Sequence, residues 1–549
     1  MKGLLIIPAR GGSKGIPRKN IRNLAGKPLI YYSIKTALKA AKDFDVDVYV
    51  SSDDEEIIAI AEKFGAKIHK RPKKLADDRT TLDEVILDVF KSLSKECKQT
   101  YDYIITIQPT SPLLKARTLI SAIKEFLDSQ YDTIISAKKF AHLMWKKEHG
   151  KFVPLYKERV NRQFLEPIYL ETGGFIICKS ENLLKYGTRI GKNINLYLLS
   201  EIEAIDIDTY EDWNLCEYLL NKKKILFVVS GYREIGLGHV YRTLIIANNI
   251  TSHDLLFLVD KKSILGLQKI KEYNYPVILQ QSENILDDIE KIDPDVVIND
   301  ILDTSKEYVL SLKNKGYTVI NFEDLGEGAR YADLVINALY PEREPLPNHY
   351  FGYKYFVPRD EFIYSKFKNV SPEVQNVLIT FGGTDPNNLT LKTLKSIYDY
   401  CVQQGIKIKV ILGLGYKYQD SLSNFKDIEM FENIKNISQY MLDADIIFTS
   451  AGRTVYEIAC IGTPTIVLAQ NERELTHFFA NSENGFINLG LGINVSNKEI
   501  LDVFKRLINN FEERKLMNRL MLSKEVRKGR ERVINLIKSI IENNGGKNE

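Results

Sequence analysis

Short apolar runs alternate with amphipathic stretches along the whole chain. In its first part the runs fall at 4–7, 46–51, 103–107, 133–137 and 175–178. Between them apolar residues return every three or four positions, which predicts helices over 28–42, 54–64, 82–93 and 116–128. Pro28 suits the first turn of one helix and Asp53 the N-cap of the next. The charged break Asn221-Lys222-Lys223-Lys224 interrupts the rhythm, which restarts with strands predicted at 225–229, 255–259, 296–299 and 319–322. A polar stretch, 365–376, reads as a connection to a third set at 377–381, 409–412, 446–449 and 465–468. Helical sequence over 498–541 closes this set, and the tail 543–549 reads as disordered. The alternation predicts an α/β fold of mostly parallel sheets, in blocks at 1–221, 225–370 and 371–549. In such sheets ligands gather at the carboxyl ends of the strands.

Composition adds exclusions. A chain of 549 residues is too long for one core, and 44% apolar with 27% charged residues is ordinary for a globular protein. Its 76 basic and 72 acidic side chains leave a net charge of only +4. That excludes a general nucleic-acid or anionic-membrane binder, so local cationic clusters must carry any affinity for anions. Cys97, Cys178, Cys216, Cys401 and Cys460 are widely spaced and read as reduced core residues. The first apolar run is too short for a signal peptide and none is long enough to span a membrane, so a cytoplasmic location is expected.

Three segments of the first block hold the candidate chemistry. The loop IPARGGSKGIPRKN, residues 7–20, interleaves Gly11, Gly12 and Gly15 with Arg10, Lys14, Arg18 and Lys19. Glycines that free backbone N–H groups, beside flexible cations, suit a polyphosphate. It is not a Walker A loop, because Ile16-Pro17 follows Gly15. Gln108-Pro109-Thr110-Ser111-Pro112 leaves another predicted strand as a rigid turn, with Gln108 and Ser111 offering hydrogen bonds to a base or sugar. Asp206-Ile207-Asp208 sets two carboxylates on one face if extended, as a hard divalent cation requires; equally, Asp208 suits the N-cap of a helix over 210–220.

IPARGGSKGIPRKN, Arg71-Pro72 with Leu75-Ala76-Asp77, QPTSPL and DID resemble, in order, the motifs of the acylneuraminate cytidylyltransferases, over nearly all of 1–220. The resemblance implies a Rossmann-like nucleotidyltransferase sheet that joins CTP to a nine-carbon α-keto acid sugar, releasing pyrophosphate. By motif position, Arg10, Lys14 and Lys19 would grip the triphosphate, with Arg10 and Lys19 acting in catalysis. Asn20 and Arg71 would line the nucleotide site, Gln108 would contact the sugar acid, and Asp206 and Asp208 would hold Mg²⁺. It also implies a homodimer, formed through an irregular arm at 138–170.

In the rest of the chain, GLGHVYR, Asn321-Phe322-Glu323-Asp324, YADLVIN, ITFGGTDP and SAGRTVYEIACIGTP resemble the UDP-sugar hydrolase of pseudaminic acid biosynthesis. A GT-B fold, two Rossmann-like halves facing across a cleft, is implied. His239, after Gly236 and Gly238, would take a proton from water attacking the anomeric carbon. Gly382, Gly383 and Thr384 would meet the diphosphate at a helix start; Ser450, Gly452 and Thr454 form a second such turn. Glu457 would bind the uridine ribose and Asn471 the sugar. Two other readings stay open: a GT-B glycosyltransferase whose His239 activates an acceptor, and a non-catalytic nucleotide-sugar binding module.

Overall fold

The computed structural model of the chain describes residues 1–549 apart from 97–99, 233–234, 343–345, 414, 433 and 544–549. The chain divides into two compact units, Met1–Lys222 and Lys223–Glu549.

The first unit is built on a seven-stranded sheet. Its order is Ile194–Leu198, Thr133–Phe140, Ile168–Lys179, Tyr103–Thr106, Gly3–Pro8, Val46–Ser52, Lys67–Lys70. All neighbours run parallel except Ile168–Lys179, which is antiparallel to both of its own. Gly3–Pro8 is central and apolar on both faces because both are covered. Leu5 and Ile7 join the core with Ile30, Ile34 and Val50; Leu4 and Ile6 face Ile86, Val89 and Phe90.

Several local expectations change. Asp54, not Asp53, caps the helix Glu55–Lys63, accepting from the N–H groups of Glu56 and Ile57. Asp53 instead takes the N–H of Gly11 at 3.2 Å. Pro28 sits at the N-cap of Leu29–Ala41, where it also closes a two-residue ribbon with Asn23–Leu24. Thr209, not Asp208, caps Tyr210–Leu220 through a reciprocal box with Asp212, which leaves the Asp208 carboxylate uncommitted to the helix. The arm expected as irregular is so over 155–167 apart from the short turn Arg162–Phe164, and carries ribbon elsewhere. Thr133–Phe140 and Ile168–Lys179 pair here with Ile168 opposite Phe140 and Glu171 opposite Ala137, and a hairpin, Trp145–Glu148 with Lys151–Pro154, lies between them.

The second unit holds two all-parallel sheets. The first, in order, is Val277–Leu279, Asp254–Val259, Lys224–Val229, Val296–Asp300, Thr318–Phe322, Leu334–Asn337, His349–Phe351. The second is Ile428–Glu432, Lys407–Leu412, Asn376–Ile379, Ile446–Thr449, Thr465–Ala469, Phe486–Leu491. The last helix, Gly529–Asn543, does not stay with the second sheet. Its Val533, Ile534, Ile537 and Ile541 complete the apolar core of the first, so a cut of this region at 370/371 divides what packing joins.

Among the described residues Cys178, Cys216, Cys401 and Cys460 are buried free thiols; Cys97 lies outside them, as does the tail beyond Asn543. No helix among the described residues is long and apolar enough to cross a membrane.

Candidate active sites

In the first unit the loop 9–20 leaves the carboxyl end of the central strand and is held by its glycines and by acids. A Cβ on Gly11 would lie 2.6 Å from Asp54 Oδ2, so only glycine lets the loop approach that helix cap. Arg18, at φ 57°, forks to Asp54 at 2.7 Å and Glu56 at 2.6 Å, bracing the loop rather than offering a free cation. Lys19 Nζ donates to the Ile207 carbonyl at 2.6 Å and lies 3.5 Å from Asp208 Oδ1. The glycine-rich loop and the DID segment, far apart in sequence, thus meet at one lysine. Buried Asn20 donates to the Arg10 carbonyl at 2.9 Å, which fixes the start of the loop.

Arg10 and Lys14 share a partner that the sequence reading did not single out. Arg10 donates to the Asp77 carbonyl at 3.1 Å and pairs with Asp78 at 2.9 Å; Lys14 pairs with the other oxygen of Asp78. Arg71 is buried on Ser51, donating to its carbonyl at 2.8 Å and to its hydroxyl at 3.3 Å. Burial pulls Arg71 down to about 10, against the pull of Asp53.

Gln108 sits where its N–H donates to the Gly173 carbonyl at 3.2 Å, and Ser111 is buried in the same turn. A Cβ on Gly173 would come within 3.0 Å of both Ser111 Oγ and Asp206 Oδ1, so the glycine brings the two loops together. Burial pushes the Asp206 carboxyl up, and its Oδ1 is buried without a hydrogen-bond partner. An orphaned carboxylate oxygen beside exposed Asp208 suits a hard cation, although no cluster of three ligating side chains occurs among the described residues.

In the second unit His239 is the second residue of the helix Gly238–Asn249. Its Nδ1 lies 2.5 Å from Oδ1 of Asp300, the last residue of the strand Val296–Asp300. Asp300 is fully buried and is also held by Arg242, whose Nε meets Oδ2 at 2.7 Å and Nη2 meets Oδ1 at 2.6 Å. Arg242 Nη1 donates to Glu323 at 2.8 Å. Burial works against the Asp300 carboxylate, yet Arg242 and then His239 outweigh it and hold the group at about 2. An ionised carboxylate only accepts hydrogen bonds, so the imidazole Nδ1 carries the proton and Nε2 is left as the basic nitrogen. Glu323 (φ 50°) and Leu302 (φ 73°) both occupy the left-handed region in the loops beside this network, and such local strain clusters at functional sites.

The depressed Asp300 has a pH signature. A free aspartate titrates near ~3.9, so this group favours the folded state above about pH 4 and loses that contribution as pH falls toward 2. Asp300→Asn removes this contribution. Urea midpoints of the parent should fall more steeply between about pH 4 and 2 than those of the variant.

The remaining predicted residues are placed as follows. Gly382 (φ +80°), Gly383 and Thr384 form a loop, but the helix begins only at Leu389, and Asp385 takes the Leu389 and Thr390 N–H groups at 2.8 and 2.9 Å. The helix start expected at this loop is therefore corrected: Asp385 already fills it. Thr454 does begin a helix, Thr454–Ile461. Ser450 is buried in the preceding turn, and Glu474 pins that turn by accepting the Ala451 N–H at 3.1 Å and the Gln470 N–H at 2.8 Å. A Cβ on Gly452 would come within 3.1 Å of Glu474 Oε1. Glu457 is not free, since Arg359 Nε donates to it at 3.0 Å. Asn471 caps Glu472–Leu475, accepting the Glu474 N–H at 3.0 Å.

Sequence reasoning missed Asp300, Arg242, Glu323 and Asp78 as partners. The one available signal was an aspartate ending an otherwise apolar strand, Val296–Asp300, where a buried charge needs a reason.

A mostly parallel sheet with a glycine-rich, cationic loop, followed by two parallel sheets with a His–Asp pair, defines a nucleotidyltransferase joined to a GT-B-type unit. The sequence profile described as Cytidylyltransferase matches residues 4–162, and that described as Glycosyltransferase family 28 C-terminal domain matches 377–537. The chain belongs to the cytidylyltransferase family. It is 35% identical over 226 residues to the pseudaminic acid cytidylyltransferase of Campylobacter jejuni, covering 40% of this chain and 96% of that one. A Helicobacter pylori protein named as a pseudaminic acid cytidylyltransferase and UDP-2,4-diacetamido-2,4,6-trideoxy-beta-L-altropyranose hydrolase is 26% identical over 489 residues, 85% of this chain and 88% of its own. An uncharacterised protein of Methanocaldococcus jannaschii is 34% identical over 273 residues; the match spans 45% of this chain and 56% of that protein.

Proposed function

We propose that the chain is a bifunctional enzyme of nonulosonic acid biosynthesis. Its first unit transfers CMP from CTP to a nine-carbon α-keto acid sugar and releases pyrophosphate; its second hydrolyses a UDP-linked amino sugar and releases UDP. The observation that carries this reading is the presence, on one chain, of a lysine bridging the glycine-rich loop to the DID segment and of a histidine seated on a buried aspartate.

In the first unit Lys19 and Arg10 face the triphosphate, with Lys14 at the mouth of the loop. For Arg10 and Lys14 to do so, Asp78 must give way to phosphate oxygens. Asn20 and Arg71 keep the loop and the neighbouring strand end in register for the nucleotide, while Gln108 and Ser111 approach the sugar acid. Asp206 and Asp208 are the residues that would hold a divalent cation, most simply Mg²⁺, and the orphaned Asp206 oxygen supports that assignment. When bound, the ion supplies charge neutralisation at the phosphates. In the second unit His239 Nε2 takes a proton from water as the water oxygen attacks the anomeric carbon. The bond from that carbon to the diphosphate oxygen breaks and UDP leaves with the electron pair. Asp300 keeps the imidazole in the required tautomer.

Supplying CTP, Mg²⁺ and a panel of nonulosonic acids should give pyrophosphate with at least one acid; none with any would overturn the first half. UDP release from a UDP-amino sugar without acceptor supports hydrolysis. Release only when an acceptor sugar is added would favour the glycosyltransferase reading suggested by the family 28 match.

A homodimer through the 138–170 ribbon fits its exposed apolar side chains, Trp145 at 51% and Phe152 and Phe164 each at 71% exposure. Trp145→Ser with Phe152→Ser should give a monomer by light scattering, whereas an unchanged mass would remove the ribbon from the interface.

A further inference from the structure

In the first unit, Arg71 stands at one end of a polar chain that crosses two strands and reaches the helix Leu82–Glu96. Ser51 and His69 are cross-strand partners in the parallel pair Val46–Ser52 and Lys67–Lys70, so their side chains share one face of the sheet. Arg71 Nε donates to Ser51 Oγ at 3.3 Å, and that oxygen lies 3.2 Å from His69 Nδ1. His69 Nε2 in turn faces Asp88 Oδ2 at 3.6 Å. Ser51 is fully buried, and His69 is buried beside it. Asp88 Oδ2 is buried as well and has no hydrogen bond among the described residues. Asp, His and Ser in this order resemble a nucleophilic triad, yet Ser51 is closed to any substrate and already serves Arg71.

Hydrogen-bond polarity gives this chain one direction. A guanidinium only donates, so Ser51 Oγ accepts from Arg71. The serine proton then needs an acceptor of its own, because a buried hydroxyl left unmatched is costly. His69 Nδ1 is that acceptor, which places the imidazole proton on Nε2, toward the Asp88 carboxylate. We infer that His69 is a positioning residue for the CTP site: by taking the Ser51 proton it turns a serine lone pair to Arg71 and fixes the guanidinium beside the nucleotide. This rests on the CTP reading given above. Arg71 Nη2 also donates to the Ser51 carbonyl at 2.8 Å, so two bonds to one residue set the plane of the group. With the Nε bond lost, the guanidinium can swing about the other, and Arg10, a like charge within electrostatic reach, drives it from the loop. A group held in place before the ligand arrives binds it more tightly, since less freedom is lost on association.

Calorimetric titration of the full-length protein with CTP and Mg²⁺ tests the assignment, using the parent, His69→Asn, His69→Gln and Ser51→Ala. Asparagine sets its amide oxygen where Nδ1 stands, whereas glutamine carries its amide to the Nε2 end of the ring. His69→Gln and Ser51→Ala should each weaken CTP about fivefold or more, and His69→Asn should stay within about twofold of the parent. Rescue by asparagine but not by glutamine marks an acceptor at Nδ1, which a histidine that merely packs would not show. An equal loss in His69→Asn and His69→Gln therefore overturns the inference. So does parental affinity in His69→Gln. Ser51→Ala carries the test should the histidine variants not fold: CTP bound as tightly as by the parent then overturns it. A parent that binds no CTP overturns the CTP reading itself, and the inference falls with it.

Discussion

UDP release should fall about 10²- to 10⁴-fold in His239→Ala and by a similar factor in Asp300→Asn, while KM for the UDP-sugar changes little. The two variants fail for different reasons. Alanine removes the nitrogen that takes the proton from water. Asparagine keeps the shape of Asp300 but presents an N–H or a weaker acceptor to Nδ1, so the imidazole loses its fixed tautomer, and Arg242 loses one of its two carboxylate partners and keeps Glu323. A base that acts only in the transition state lowers kcat without weakening ground-state binding. Pyrophosphate release by the first unit is the internal control and should stay at the parental rate. Full UDP release by His239→Ala would remove the proposed base.

The second large effect is expected at the meeting of the glycine-rich loop with the DID segment. Lys19→Met should lower pyrophosphate release about 10²- to 10³-fold. It removes a charge expected at the phosphates and also unties the loop from the Ile207 carbonyl. Asp206→Asn should do so at least as strongly and shift the requirement for Mg²⁺ to higher concentration, because a neutral amide is a poor ligand for a hard cation. A shifted metal requirement separates a ligand from a residue that merely packs. If Asp206→Asn kept the parental Mg²⁺ dependence, the carboxylate would not be a ligand. In both variants UDP release by the second unit should be untouched.

The elements of the fold were legible because the apolar period is a local property. The central strands of all three sheets and the helix Ala116–Asp128 emerge from runs and repeats alone. Elements at the sheet margins were not. Ile194–Leu198, Val277–Leu279 and Ile428–Glu432 are short and largely exposed or half-buried, so their sequences carry little apolar contrast. Cap assignments slipped by one residue at Asp53/Asp54 and Asp208/Thr209, where adjacent residues all suit a cap and only the backbone path chooses among them. Glu457 and Arg18 carry the right chemistry, yet both are met by oppositely charged partners that are remote in sequence or on another element.

By itself the sequence determined the order of strands and helices, the two motif sets and the residue types of their chemistry, since each is written within a few neighbouring positions. Tertiary structure alone decided the partners. Lys19 meets Ile207 across 188 positions, His239 meets Asp300 across 61, and the last helix returns to complete the core of a sheet that begins at Lys224. Whether a charge is buried, and against what, depends on which chain segments the sheets bring side by side, and no local pattern encodes that.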